Sequence, residues 1–185
     1  NVAFTLRGLW VGRGGNMKAL SLYQPWASLL VCGAKRYETR SWPTKYRGQF
    51  LIHAGKMPYD PDFCYGLLNQ QFADALNLPD VHSFDTLPYG CIIGVGEIVD
   101  CYRISKTPKP ELYTLWYPGN GFNGFTARCI SPQEQAFGDW SEGRYAWEIA
   151  NARMLDKPVP WKGRQRLFNV PDNDPIISTV LGKEG

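Results

Sequence analysis

The sequence is poor in the residues that metal and disulfide chemistry require. It has two histidines, His53 and His82, and an odd set of five cysteines: Cys32, Cys64, Cys91, Cys101 and Cys129. There is no HExxH pattern and no CxxC pair, and the spacings match neither a zinc ribbon nor a disulfide framework. Buried or partly buried free thiols in a reducing cytoplasm are expected instead, with no metal and no cofactor. Long apolar runs are also missing. Leu29-Leu30-Val31-Cys32 and Cys91-Ile92-Ile93-Gly94-Val95 are the longest candidates. Both fall far short of the roughly 18 residues of a membrane helix, so no membrane partner is expected. Nor does one charge sign dominate: 20 basic and 17 acidic residues leave a net charge of +3. Global charge therefore says little about partners. With 44% hydrophobic and 20% charged residues the composition is that of a folded chain, and 185 residues favour one domain.

Residues 1–16 hold Arg7 and Arg13, no acid and a Gly-rich end, after which Met17 opens the dense pattern MKALSLYQPW. They are expected to be an extension, from a vector or an upstream start, before a domain over 17–171 and a ragged tail over 172–185. The alternation at 18–23 predicts a strand. Pro25 suits the first turn of a helix and Gly33 its C-terminal cap, with Trp26, Leu29 and Leu30 on one face. Strands are predicted at 37–42 and 49–54, a helix at 62–76, a loop at 81–89 and a strong strand at 90–102. Gly94 and Gly96 inside the latter indicate a bulge or a close backbone approach. Residues 107–124, rich in Pro, Gly and Asn with Tyr113, Trp116, Tyr117 and Phe122, read as a folded insertion loop. A strand at 144–149, a turn at 154–160 and a closing strand at 164–170 complete the chain. The fold class is α+β: a small mixed β-barrel with two to three helices packed outside it.

Local charge is more informative. From Lys35 to Arg47 five basic residues (Lys35, Arg36, Arg40, Lys45, Arg47) face one acid, Glu38. From Lys157 to Arg166 there are four (Lys157, Lys162, Arg164, Arg166) and no acid. Tyr37, Trp42, Tyr46 and Trp161 lie among them, a pattern suited to phosphate attraction combined with base stacking and equally to a solvated barrel surface. In a strand, Glu38 and Arg40 share a face and Thr39 takes the other.

The run LSLYQPWASLLVCGAKRYETRSWPTKYRGQFLIHAGK resembles the ASCH domain family, relatives of the PUA-like β-barrels. The family's GxKxxExR motif is present as Gly33, Lys35, Glu38 and Arg40. The stretches Tyr89-Gly90-Cys91-Ile92-Ile93-Gly94-Val95-Gly96-Glu97 and Tyr145-Ala146-Trp147-Glu148 are similar to its later strands. The resemblance spans about 17–171. It implies a PUA-like barrel with a basic cleft beside the first helix, lined by the motif residues, and RNA, single-stranded nucleic acid or a nucleoside as ligand. Lys35, Glu38, Arg40, Trp26, Tyr37, Trp42, Arg47, Lys162 and Arg164 are the candidate ligand-binding residues.

Two other functions follow from the same resemblance. The first is hydrolysis, by a metal-independent ribonuclease or by an amidohydrolase acting on a modified nucleoside, with Lys35, Glu38 and Glu97 as candidate catalytic groups. Family members of the amidohydrolase kind resemble a Lys/Thr/Glu arrangement with a threonine nucleophile. This sequence carries Glu38 at that threonine's place, and a carboxylate is a poor substitute for a hydroxyl nucleophile in amide hydrolysis. The second is a transcription-linked protein-interaction domain.

Overall fold

The computed structural model describes residues 16–56, 69–107, 112–116, 125–171 and 173–181. Eight strands are found among them: β1 (Asn16–Leu22), β2 (Tyr37–Arg40), β3 (Gly48–Ala54), β4 (Cys91–Lys106), β5 (Leu112–Trp116), β6 (Phe125–Cys129), β7 (Tyr145–Pro160) and β8 (Leu167–Pro171). The α-helices are short: α1 (Trp26–Val31), α2 (Gln70–Ala75), α3 (Pro132–Ala136) and α4 (Pro175–Leu181). The strands run in the order β2-β7-β4-β3-β1-β8, with β5 on the far half of β4 and β6 beyond it. β1 and β3 are parallel and the other pairs antiparallel, so the sheet is mixed. The ends of the order, β2 and β8, are not joined by a ladder. The α+β class thus holds, and the described strands form an open sheet.

β3 shows why the apolar run FLIHA is continuous rather than alternating. Phe50 and Ile52 enter a core with Leu30 and Val31 of α1, Ile98 and Trp147. Leu51 points the other way, into a second core with Ile92, Val95 and Ile176 and Ile177 of α4. Both faces of this central strand are covered, and such strands carry unbroken hydrophobic sequence. α1 ends where Gly33 takes a φ of 80°, a left-handed conformation that glycine adopts without strain. Gly94 is a point of close approach, as its position in an apolar strand suggested. A Cβ there would lie 2.4 Å from Val31 Cγ1 and 2.5 Å from Arg153 O.

Several segments differ from the sequence expectation. Residues 154–160 are the second half of β7, pairing with β4 up to Pro160 opposite Cys91. β2 covers β7 only from Tyr145 to Glu148, so among the described strands the later half pairs with β4 alone, and Pro158 and Pro160 are tolerated on its other side. The 107–124 insertion contains β5, whose Tyr113 and Leu115 are buried. Flanking turn residues hid this alternation. The 81–89 loop holds a 3₁₀ turn, Val81–Thr86, capped by Asp80 accepting from Ser83 N. Within the 172–185 tail the described residues include α4, Pro175–Leu181. Of the 62–76 helix the described part is α2, and residues 57–68 lie outside the described set, as do 1–15. Asn16 opens β1, opposite Pro171. Cys91 and Cys101 are buried, whereas Cys32 and Cys129 are exposed, and Cys64 lies outside the described residues. No helix among the described residues is long and apolar enough to cross a membrane.

Candidate functional site

The site begins at the α1–β2 junction. Lys35 N donates to Leu29 O at the helix end. Glu134 of α3, buried and 97 residues further on, accepts from Tyr37 N and Arg36 N, each at 2.9 Å. These two charge-assisted bonds set the start of β2. Lys35 is buried, only 2% exposed. Its Nζ donates to Tyr37 O and lies 3.9 Å from Glu38 Oε2. Burial holds this ammonium below its ordinary pKa, Glu38 and Glu134 oppose that shift, and Arg40 adds to it. Glu38 Oε1 lies 2.8 Å from Arg40 Nε, and Arg40 Nη2 donates to Ser21 O at 3.2 Å. Lys35, Glu38 and Arg40 therefore form one connected line from beneath β2 to the end of β1.

Glu38, Thr39 and Arg40 border a cavity of about 540 Å³, within the range of roughly 300–1,000 Å³ typical of small-molecule sites. Trp26, Phe72 and Phe137 supply its apolar wall, and Asp139 and Arg144, 3.2 Å apart, supply a second ion pair. Thr39 reaches the same cavity as Glu38 although they alternate. β2 is the end strand in the order of described strands, and residues of both its faces border the cavity. Thr39 Oγ1 there accepts from Asp139 N at 2.9 Å.

A second cavity, of about 800 Å³, adjoins the first and shares Ser21 and Gly55 with it. Lys56, Lys162 and Arg164 line it together with His53 and Trp161. His53 is buried, with Nε2 3.0 Å from Trp161 O and Nδ1 3.0 Å from Ser21 Oγ. A carbonyl can only accept, so Nε2 carries the proton, and neutral Nδ1 accepts from the Ser21 hydroxyl. Burial lowers the His53 pKa, against the opposing effect of the Trp161 bond, and favours this neutral form.

The candidate residues thus divide. Trp26, Glu38 and Arg40 meet at the first cavity, and Lys162 and Arg164 at the second. Lys35, expected on the cleft wall, is instead beneath it, because the turn after Gly33 directs its side chain inward to Tyr37 O. Tyr37 packs edge-on against Trp140 at 5.6 Å, and Trp42 against Trp147 at 4.6 Å. Arg47 pairs with Asp100 at 2.7 Å, and Glu97 accepts from Asn151 at 2.8 Å across β4 and β7. None of these four lines either cavity. Phe137, Asp139 and Arg144 carried no local signal in the sequence. His53 was visible as one of two histidines, but its partner Ser21 was not.

The fold and the cavities define a strand-rich α+β domain with a charged, aromatic-walled cleft between its first helix and an edge strand. A family model for the ASCH domain matches residues 20–159, and the chain belongs to this family. It is 42% identical over 115 residues to Activating signal cointegrator 1 of Homo sapiens, and 45% identical over 116 residues to that of Mus musculus. Each match covers 62% of this chain and 19% of the relative, so the similarity spans about a fifth of the length of these proteins.

Proposed function

We propose that this domain binds nucleic acid, RNA or another single strand, in the cleft between α1 and β2, on a sheet read as a PUA-like barrel. The observation that carries the reading is the grouping of Trp26, Glu38 and Arg40 around one cavity. An aromatic face can stack a base, a carboxylate accepts from exocyclic amino and ring N–H groups, and a guanidinium donates to carbonyls or phosphates. A cavity with paired charges of both signs suits a base edge better than a bare polyanion.

Turnover is the weaker alternative. Glu97 faces Asn151, Lys35 is buried, and the Ser21–His53 contact at the wall of the cavities is packed closely by the main chain of Gly163. A Cβ on Gly163 would fall 2.7 Å from both Ser21 Oγ and His53 Nδ1, so the main chain of that residue packs directly on the pair. A transcription-linked protein-interaction role draws only on the name of the relatives.

Fluorescence anisotropy with short single-stranded RNA tests the binding reading. Trp26→Ala is expected to cost about 1–3 kcal/mol of binding, the magnitude of lost base–aromatic stacking. Glu38→Gln should reduce discrimination among bases while nonspecific affinity survives. Equal affinity and selectivity in wild type and both variants would overturn the assignment of this cleft. Mass spectrometry of the RNA and of modified nucleosides after incubation distinguishes binding, which leaves them intact, from turnover, which gives fragments or a deacylated nucleoside.

A further inference from the structure

The two adjoining cavities differ in charge in a way that indicates how a ligand would lie. The first is balanced, with Glu38 and Asp139 set against Arg40 and Arg144. The second is lined by Lys56, Lys162 and Arg164 and by no carboxylate. None of these three cations forms an ion pair with a described residue, and Lys162 and Arg164 are exposed. A cleft of one charge sign concentrates its field on an incoming ion, and an unpaired guanidinium matches the oxygens of a phosphate.

The segment that presents Lys162 and Arg164 is held from three sides. Trp161 N donates to Gly90 O at 3.0 Å, and Gly90 N in turn donates to Gly55 O at 3.1 Å. Trp161 O accepts from His53, and Gly163 sits on the Ser21–His53 pair. The backbone between the two cations is therefore fixed against the ends of β1 and β3, where the cavities meet. Such anchoring lowers the ordering cost of capturing an anion.

We infer that the second cavity is a phosphate site, and that the two cavities together take a nucleotide unit. Its base lies in the Trp26–Glu38–Arg40 cavity, and the phosphate attached to the same nucleoside is held by Lys56, Lys162 and Arg164. This inference rests on the proposed base-binding role of the first cavity and adds the chemical class of the smallest complete ligand: a nucleoside monophosphate, free or within a strand. The ribose bridges the shared wall at Ser21 and Gly55.

Calorimetric titration with the four ribonucleosides, their 5′- and 3′-monophosphates and inorganic phosphate tests it. For at least one base, a monophosphate should bind about tenfold or more tightly than its nucleoside, the gain expected from charge-assisted hydrogen bonds. The preferred isomer identifies which ester carries the phosphate. In the double variant K162A/R164A, both exposed and expected to leave thermal unfolding unchanged, that gain should fall to less than about twofold while nucleoside affinity is kept. Equal affinity of nucleoside and monophosphates, or a gain that survives the double variant, overturns the inference. If single-stranded RNA then still binds in a Trp26-dependent manner, the cleft reading stands without it. If neither strands nor nucleosides bind and only inorganic phosphate does, the base-binding reading fails and the two-cavity ligand fails with it.

Discussion

Replacing Lys35 by alanine is expected to lower folding stability by about 3–5 kcal/mol, the usual loss when one partner of a buried ion pair is removed. The side chain is almost fully enclosed, it donates to Tyr37 O, and it faces the Glu38 carboxylate. Alanine leaves a cavity, a carbonyl at the first residue of β2 without its lysine donor, and Glu38 with Arg40 as its one remaining cation among the described residues. Denaturant unfolding followed by tryptophan fluorescence measures the loss. Lys35→Met should cost less than alanine by the cavity contribution alone, because an apolar chain of similar length refills the volume while Tyr37 O and Glu38 still lose their partner. A methionine variant as unstable as the alanine variant would show that the charge, not the packing, holds this junction.

The same lysine predicts a pH dependence. Its folded-state pKa is lowered from the ordinary 10.5. Below the folded value both states carry the proton, and the full cost of enclosing the charge is present. Between the folded value and 10.5 the unfolded chain binds more protons, so this contribution makes stability rise with pH. Wild type and Lys35→Met compared over the pH range below 10.5 should diverge, with this rise absent from the variant. Parallel profiles would contradict the lowered pKa.

The second large effect belongs to Gly94→Ala. The added methyl would meet a backbone carbonyl, Arg153 O, and Val31 Cγ1, both at less than a permissible distance. Neither neighbour can yield alone: Arg153 is in the β7 ladder and Val31 is the last residue of α1. The substitution must part β4 from β7 or lift α1, and a loss of about 3 kcal/mol is expected, at the upper end for overpacked cores. Gly33→Ala is the control. A Cβ there meets nothing within 4 Å, so only the φ of 80° opposes it, worth about 1–2 kcal/mol. If the two variants unfold at the same denaturant concentration, close packing of α1 on β4 is not what requires Gly94.

Local pattern made much of this molecule legible. The alternation of β1, the Pro25-to-Gly33 bracket around α1, and the apolar runs of β3 and β4 each follow from residues within one element, where side-chain period and turn chemistry act. The glycines of β4 signalled close approach for the same reason. Segments near Pro and Gly misled: β5 looks like part of a loop because turn residues flank it in the sequence, and the second half of β7 because it carries Pro158 and Pro160, and its pairing with β4 depends on which strand lies where.

The sequence by itself determined the family resemblance, the α+β class and the grouping of Glu38 with Arg40 on one face of a strand. The resemblance rests on ordered blocks along the chain, the class on the succession of strand and helix patterns, and the shared face on the two-residue period of a strand. Only the tertiary structure decided that Lys35 is enclosed rather than presented, that Thr39 shares the cavity with Glu38, and that Tyr37, Trp42, Arg47 and Glu97 turn to other partners. It also decided that Asp139, Arg144, Ser21, His53 and Lys56 join the site. Each of these outcomes depends on contacts between residues far apart in the chain, such as Glu134 with the start of β2 and His53 with Trp161. Such pairings arise from the order of strands in the sheet, which no local run of residues contains.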